Sequence, residues 1–206
     1  MNNFTTKYYD DNAVSLTKRY ESADVQELQN FLTKEFSGKK KLLELGCGSG
    51  RDCAYMLSQN YDVLGIDASK QLINEAIKQH PELNNKLRPL LLPNGLSQID
   101  SNFDGIYSIA TLMHLSTLDI ISSIKMIHKL LIPSGKVIFS VSTFRNDVNE
   151  DGIDKNGRFF NILPTSKWVD FCKEIGFKNI HTKESSTDGL GRQGITWLTI
   201  TATKPN

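Results

Sequence analysis

The sequence predicts an α/β fold built on a doubly wound, mostly parallel sheet of seven strands, in which the last strand runs antiparallel. Short apolar runs of strand length alternate with helical patterns between residues 41 and 141, which is typical of a parallel sheet with helices on both faces. A glycine-rich turn, Gly46–Gly50, directly follows the first of these runs. Two late apolar runs have no full helix between them, and the second alternates apolar and polar residues as an antiparallel strand does.

Apolar periodicity and local start and stop signals define the elements. The predicted helices are 24–32, 51–59, 70–79, 118–131 and 165–175. Asp24 or Ser22 is expected to cap the first helix, and Ser69 caps the third. Thr165 caps the last helix, which Gly176 closes. The predicted strands are 41–45, 62–66, 87–92, 103–109, 136–141, 177–183 and 195–203.

Length and composition predict one domain of 206 residues, with residues 1–38 as a helical lid and residues 39–206 as the core. A polar, glycine-bearing loop is predicted over 142–163. The net charge of +1 disfavours a nucleic-acid partner. No segment approaches the ~20 apolar residues of a membrane span, and the start of the chain lacks the pattern of a signal peptide. Three cysteines without paired or metal-ligand spacing favour a reducing, cytoplasmic location and predict no metal.

The glycine-rich turn and a later carboxylate together predict a nucleoside-binding crevice. Glycines at alternate positions let the backbone bend tightly and approach a ligand where a Cβ would clash. Asp67 ends the second apolar run, 21 residues after Gly46. A carboxylate on that neighbouring strand tip can accept hydrogen bonds from both hydroxyls of a ribose.

Two residues near the turn separate the possible ligand classes. A dinucleotide fingerprint, G-x-G-x-x-G, faces a pyrophosphate and needs a glycine where this chain has Arg51. Glu44 stands two positions before the first glycine, where a carboxylate is wrong for a pyrophosphate but suits a ligand with an ammonium group. The pattern therefore disfavours a nicotinamide dinucleotide.

The same pattern resembles the first motif, E/D-x-G-x-G-x-G, of the class I S-adenosylmethionine-dependent methyltransferases. The matching residues are Glu44, Gly46, Gly48 and Gly50, followed by Asp67. Phe103–Ser108 is similar to the family's fourth-strand motif, with His114 just beyond it. Leu131–Val137 resembles its L-x-P-G-G-x-hydrophobic turn, with Ser134 in place of the first paired glycine. The resemblance covers residues 40–142 and implies a Rossmann-like methyltransferase fold with S-adenosyl-L-methionine as the cofactor.

The resemblance implies a cofactor site at the carboxyl ends of strands one, two and four. The loop glycines would let backbone pass beside the methionyl part, and Cys47 supplies a small residue inside the loop. Glu44 would hold the ammonium group through water or a backbone group, or serve as a buried acid bonded to loop amides. Asp67 would hold the ribose hydroxyls, with a helix-capping role as the alternative, and Ala68 would pack near the adenine.

Other contacts leave alternatives open. Many relatives bind the adenine amino group with an acidic residue after strand three, where this chain offers Asn94 or backbone atoms of Leu92 and Leu96. A lid tyrosine could reach the methionyl carboxylate, or the rings could pack the lid onto the sheet. The tyrosines concerned are Tyr8, Tyr9 and Tyr20. Arg51 could pair with the same carboxylate or lie solvated. The predicted cofactor contacts are Glu44, Gly46, Cys47, Gly48, Gly50, Asp67, Ala68, Leu92, Asn94, Tyr9 and Tyr20.

His114 is the predicted general base, because it follows strand four at the ligand-binding edge and has a suitable pKa class. Its alternative role is to shape the pocket. The loop over 142–163 is expected to face the methyl acceptor. Arg158 and the adjacent phenylalanines could hold an anionic or planar acceptor, or the rings could pin a solvated loop to the core. The predicted acceptor-side residues are Arg145, Arg158, Phe160 and Arg192.

The sequence therefore predicts a cytoplasmic S-adenosylmethionine-dependent methyltransferase that acts on a small molecule as a monomer or homodimer. The stretch Ala110–His114 lacks the proline-rich motif with which amino-methylating relatives hold a flipped base, so a nucleic-acid acceptor is disfavoured. Two alternatives stay open. One is a non-catalytic, cofactor-binding subunit of an active methyltransferase, and the other is a nicotinamide-dependent oxidoreductase.

Overall fold

A seven-stranded sheet forms the centre of the molecule, which a computed structural model describes over residues 3–206. The strands are β1 Lys41–Leu45, β2 Asp62–Asp67, β3 Leu87–Pro89, β4 Phe103–Ile109, β5 Leu131–Arg145, β6 Lys178–Ser185 and β7 Ile195–Thr203. Their order across the sheet is β3-β2-β1-β4-β5-β7-β6. The first five strands pair in parallel, and β7 is antiparallel to both of its neighbours. The predicted fold class is confirmed.

Seven α-helices accompany the sheet in the described part of the chain. They are α1 Asn3–Asp11, α2 Ala13–Glu21, α3 Gln26–Glu35, α4 Arg51–Ser58, α5 Lys70–Gln79, α6 Thr117–Leu130 and α7 Thr165–Ile175. Short 3-10 turns lie at Pro81–Leu83, Asn94–Gln98 and Leu112–His114. Between residues 3 and 206, no helix has the length and apolar character needed to cross a membrane.

The sheet is buried on both faces, as a parallel sheet requires. Successive side chains of β1 point to opposite faces, so Leu42 and Leu43 enter two different hydrophobic clusters although both are fully buried. Leu42 packs with Phe36 beside α3, and Leu43 belongs to the cluster around Trp168 of α7. A third, smaller cluster joins the lid to α5. Its buried members are Ala13, Leu16 and Leu72.

The helix ends confirm some predicted caps and correct others. The Ser69 hydroxyl accepts a hydrogen bond from the backbone N–H of Leu72, and Gly176 ends α7 in the left-handed region with φ +105°. The expected first cap is wrong, because Val25 holds that position and the Asp24 carboxylate only receives a 3.4 Å bond from the N–H of Gln26. The expected cap at Thr165 is also wrong, because its hydroxyl bonds the Glu184 carboxylate on β6 instead.

Two strands differ from their predicted lengths. Strand β3 ends at Pro89, and the chain then turns, with the carbonyl of Leu91 accepting from the N–H of Gly95 at 2.7 Å. Strand β5 extends to Arg145 because β7 continues beside it, with an irregularity at Thr143 and a last pair of Arg145 with Ile195. The predicted loop over 142–163 therefore loses its first four residues to β5.

The predicted turn after α6 lies inside β5 as a large bulge. Leu131 pairs with Phe103, and the next pair is Lys136 with Gly105, so the bulge lies between these two pairs. Ser134 adopts φ +58°, a left-handed conformation that glycine takes more easily, and its N–H donates to the carbonyl of Lys204.

We predict that Gly105→Ala lowers the free energy of unfolding by about 1–3 kcal/mol, because it overpacks the contact between β4 and α3. A Cβ at Gly105 would lie 2.4 Å from Cε1 of Phe36 and 2.7 Å from Cδ2 of Leu42. Urea unfolding measures the loss. The matched variant combines Gly105→Ala with Phe36→Leu, whose smaller side chain should recover part of the stability. Losses that simply add would contradict this explanation.

Candidate active site at the carboxyl edge of the sheet

The glycine loop between β1 and α4 uses all three glycines in the left-handed region. Gly46, Gly48 and Gly50 have φ of +76°, +53° and +79°. A Cβ on Gly46 would lie 2.1 Å from Oγ1 of Thr111, so only glycine fits between the ends of β1 and β4. The N–H of Gly46 donates to the carbonyl of Ile66 at 2.7 Å, which directs the loop toward the end of β2.

Asp67, at the end of β2, joins the loop to α5. Its carboxylate accepts from the N–H of Gly48 at 3.0 Å and from the N–H of Ser69 at 2.8 Å. Burial raises the pKa of this carboxyl, and the two backbone donors oppose the rise. Ser69, not Asp67, caps α5, and the Asp67 carboxylate bonds the N–H of this cap residue and also lines the cavity.

Glu44 is buried, with its side chain bonded to other side chains and not to the loop amides that one prediction named. The Cys53 thiol and the Tyr107 hydroxyl both donate to its Oε2, at 2.9 and 3.1 Å. Burial raises the pKa of Glu44 to about 8, and the Asp52 carboxylate adds to the rise. The carboxyl of the ligand-free protein is therefore largely protonated at neutral pH.

The lid contacts the core through backbone and side chains at this edge. The Arg51 guanidinium donates to the carbonyl of Tyr20 at 2.7 Å and pairs with Asp52 at 2.8 Å, so the solvated alternative is wrong. Arg51 also lines the cavity, and its pairing with a cofactor carboxylate stays a prediction. Tyr9 and Tyr20 both line the cavity. Burial raises the pKa of both tyrosines.

His114 lies buried between the lid and the segment after β5. Its Nδ1 is 2.7 Å from the carbonyl oxygen of Phe159, which can only accept, so the proton is assigned to Nδ1. Its Nε2 then accepts from the Tyr9 hydroxyl at 3.0 Å. Burial lowers the pKa of His114 to about 4, so the ring is neutral at physiological pH. The Phe160 ring packs against it, with centroids 4.5 Å apart.

The arginines predicted for the acceptor side are all paired with carboxylates. Arg158 and Asp154 form an ion pair of 2.6 Å, and the Arg158 guanidinium also lies 4.9 Å from the Tyr8 ring centre. Arg145 is fully buried on β5, pairs with Asp147 at 2.7 Å and stacks on Phe160 at 4.0 Å. The last of the four acceptor-side predictions, Arg192, pairs with Asp188 at 2.8 Å in the connection between β6 and β7.

One cavity of about 1180 Å³ brings most of the predicted site residues together. Its lining also extends along α3, β6 and β7 as far as Glu35 and Thr203, so only part of this volume lies beside the glycine loop and His114. The predicted residues that line it are Glu44, Gly46, Cys47, Gly48, Asp67, Ala68, Leu92, Tyr9, Tyr20, His114, Arg158, Phe160 and Arg192.

Three predicted residues lie outside this lining in the described structure. Gly50 faces Leu83 beneath the loop, Asn94 is exposed at the start of a 3-10 turn, and Arg145 lies behind Phe160. Thr111 and Ser140 were missed, although both line the cavity. Their positions beyond or within the carboxyl ends of β4 and β5 are the signal that could have found them.

Comparison with known families identifies the family of this chain. A family model described as "Methyltransferase domain" matches residues 17–182, which is most of the sequence. The chain belongs to this family. The prediction that the chain is a member of the S-adenosylmethionine-dependent methyltransferases is confirmed.

Curated relatives of this methyltransferase differ in their acceptors. The chain is 27% identical over 180 residues to a tRNA U34 carboxymethyltransferase of Hahella chejuensis, which covers 79% of this chain and 52% of the relative. It is 26% identical over 160 residues to a phosphoethanolamine N-methyltransferase of Plasmodium falciparum, covering 74% and 59%. The chain therefore spans between half and three fifths of the length of these two relatives.

Solved structures share the fold of the methyltransferase. The N-methyltransferase NodS from Bradyrhizobium japonicum, in complex with S-adenosyl-L-homocysteine, superposes with a TM-score of 0.72 at 16% identity and covers the whole of both chains. At this identity the likeness concerns the fold.

We predict that the protein without its cofactor loses stability as the pH rises from about 6.5 to about 8, through Glu44. Below about pH 6.5, His114 contributes the opposite slope, because its pKa is lowered to about 4 in the folded protein. The pKa of Glu44 is raised to about 8 in the folded protein, so between about pH 6.5 and about pH 8 the folded state keeps a proton that the unfolded state has already lost. Unfolding releases this proton and is therefore favoured as the pH rises. Urea unfolding across this range should give a flatter dependence for Glu44→Gln. Glu174→Gln, at an exposed position on α7, is the control and should follow the parent. Equal slopes for all three proteins would contradict the assignment.

Proposed function

We propose that this methyltransferase binds S-adenosyl-L-methionine along the carboxyl ends of β1, β2 and β4 and methylates a small-molecule acceptor beneath the lid. The observation that carries the proposal is one cavity that holds two sets of groups. Gly48 and Asp67 line it beside the glycine loop, and the neutral pair of His114 and Tyr9 lines it beneath α1. A nucleoside site and a proton acceptor thus share one cavity.

The residues beside the loop fit the cofactor. Gly48 adopts φ +53°, which glycine takes without strain, and a Cβ there would make an ordinary 3.6 Å contact with the Tyr20 ring, so the backbone conformation favours glycine at this position. Asp67 offers a carboxylate to the ribose hydroxyls. The Glu44 carboxyl would bind the ammonium group of the cofactor, and this positive charge would favour the ionised form of Glu44. When bound, the cofactor supplies an electrophilic methyl group on a sulfonium.

His114 and Tyr9 supply the proton acceptor. The Tyr9 oxygen receives the acceptor's proton while the Tyr9 hydroxyl gives its own proton to Nε2 of His114, so the pair becomes cationic at the imidazole and stays neutral at the tyrosine. Phe159 holds the opposite ring nitrogen through its carbonyl. His114 is buried and Tyr9 is partly exposed, and both line the cavity, so a bound acceptor can reach the Tyr9 oxygen.

The side of the cavity that carries Arg158 and Phe160 suits an anionic or planar small molecule as the methyl acceptor. Arg158 and Phe160 line the cavity, and the Tyr8 ring, which lies outside the lining, is 4.9 Å from the Arg158 guanidinium. Because Asp154 already pairs with Arg158, an acceptor anion would share this guanidinium with Asp154. Arg145 would act through Phe160, on which it stacks, and not by direct contact.

Charge and composition support a small molecule over a nucleic acid. The net charge is +1, and the two cationic groups nearest His114, Arg145 and Arg158, are each paired with a carboxylate. A cytoplasmic location and a monomeric or homodimeric state stay predictions. Glu44 and Arg51 weigh against a nicotinamide dinucleotide, because a carboxylate and an arginine stand where a pyrophosphate would need glycine and backbone donors.

Calorimetric titration of the chain with S-adenosylhomocysteine tests the cofactor assignment, with NADH as the contrasting ligand. We expect micromolar binding of the first and none of the second. Asp67→Ala should lose about 2–4 kcal/mol of affinity, because two ribose hydroxyls lose a charged partner. Asp62→Ala, at the exposed start of the same strand, should bind like the parent. Unchanged affinity in a folded Asp67→Ala protein would remove the ribose role.

Replacement of the proton acceptor should lower turnover and leave cofactor affinity in place. We expect His114→Gln to reduce kcat by about 10²–10⁴-fold once an acceptor is found in a screen that includes phosphorylated amines, planar phenols and tRNA. Because the pKa of His114 is about 4, protonation of this ring should not lower kcat as the pH falls from about 8 to about 6. His128→Gln, on α6 and away from the cavity, is the control. Full activity of His114→Gln would exclude the base role.

A further inference from the structure

Helix α1 contacts His114 in two ways, directly through Tyr9 and indirectly through the backbone of Phe159. Tyr9 of α1 donates to Nε2 of His114 at 3.0 Å. Thr5 of the same helix accepts from the N–H of Phe159 at 3.0 Å, and the carbonyl of Phe159 in turn bonds Nδ1 of His114 at 2.7 Å. Residues four apart lie on one face of a helix, so Thr5 and Tyr9 approach His114 from the same side of α1. The four residues form a closed ring of contacts.

The Thr5 side chain is fully buried although it is polar. A buried hydroxyl that accepts from a backbone N–H satisfies a group that would otherwise be desolvated without a partner. The neighbouring peptide is fixed from the other direction, where the N–H of Phe160 donates to the carbonyl of Gly152 at 2.7 Å. Thr5 therefore supplies the lid-side anchor of the segment that holds His114.

Asp10 anchors the other end of α1. Its Oδ1 accepts from the Ser69 hydroxyl at 2.6 Å and from the N–H of Gln71 at 3.2 Å. These donors belong to the start of α5, so α1 is tied to the core on both sides of Tyr9. Asp11, the next residue, bonds only Lys7 of its own helix among the described contacts.

We propose that Thr5 and Asp10 are positioning residues that hold α1 in the one placement in which Tyr9 and Phe159 both bond His114. The lid then does more than cover the cavity, because its docking orients the proton acceptor. This inference rests on the role proposed for His114, but the placement of the ring can be measured without turnover.

The decisive measurement is proton NMR of the whole protein, read at the Nδ1–H of His114. This proton is seen when it is hydrogen-bonded and shielded from water, and its resonance is assigned by its loss in His114→Gln. We expect Thr5→Val, which keeps the branched shape and removes the oxygen, to shift or broaden it. Thr5→Ser keeps the oxygen and should restore the parent spectrum. In parallel, kcat should fall about tenfold in Thr5→Val, the equivalent of one hydrogen bond, with the affinity for S-adenosylhomocysteine within about twofold.

A second variant covers the case in which Thr5→Val does not fold. Asp10→Ala releases the opposite anchor and should disturb the same resonance, and Asp11→Ala is its matched control at an exposed site. Parent-like spectra for both Thr5→Val and Asp10→Ala would overturn the inference. A changed spectrum with unchanged turnover would support the positioning of His114 by α1 and would instead contradict its proposed role as proton acceptor.

Discussion

The carboxylate of Asp67 is the contact on which the arrangement of the site depends. It accepts from Gly48 in the glycine loop and from Ser69 at the start of α5, so the end of β2, the glycine loop and α5 meet at one side chain. Ser69 then bonds Asp10 of the lid. Through this short chain of polar contacts, the end of β2 fixes both the floor of the cavity and one end of its cover. A residue suited to a ribose is thus also part of the scaffold.

Burial shifts the titratable groups around the cavity in the direction of their neutral forms. The pKa of Glu44 is raised to about 8 and that of His114 is lowered to about 4, each chiefly because burial disfavours the charged form. The two groups lie at different parts of the same cavity. A neutral imidazole can accept a proton, and a neutral carboxyl that is close to its titration point responds to a cationic ligand. Desolvation therefore outweighs the opposing influence of the Arg51 guanidinium on Glu44 and of the Asp154 carboxylate on His114.

Hydrogen bonds within the segment after β5 fix its conformation, so the segment can place the backbone carbonyl of Phe159 beside His114. The Asp154 carboxylate accepts from the N–H groups of Asn156 and Arg158 as well as from the Arg158 guanidinium. Gly157 supplies the left-handed residue that this tight path needs, with φ +78°. Phe160, Arg158 and Asp154 are buried, whereas most of residues 146–151 are exposed, so this segment has a solvated outer side and a buried side next to the site.

The sequence by itself determined the sheet, the glycine loop and the position of Asp67, because strand periodicity, turn chemistry and helix caps are set by residues within a few positions of one another. It also determined the end of α7 at Gly176 and the cap at Ser69. The tertiary structure alone decided the partners of the buried polar groups. Glu44 meets Tyr107 across 63 positions, and His114 meets Tyr9 across 105. Arg145 was moved from a loop to a buried strand by its pairing with β7. Such partners depend on how distant elements pack, which local spacing does not encode.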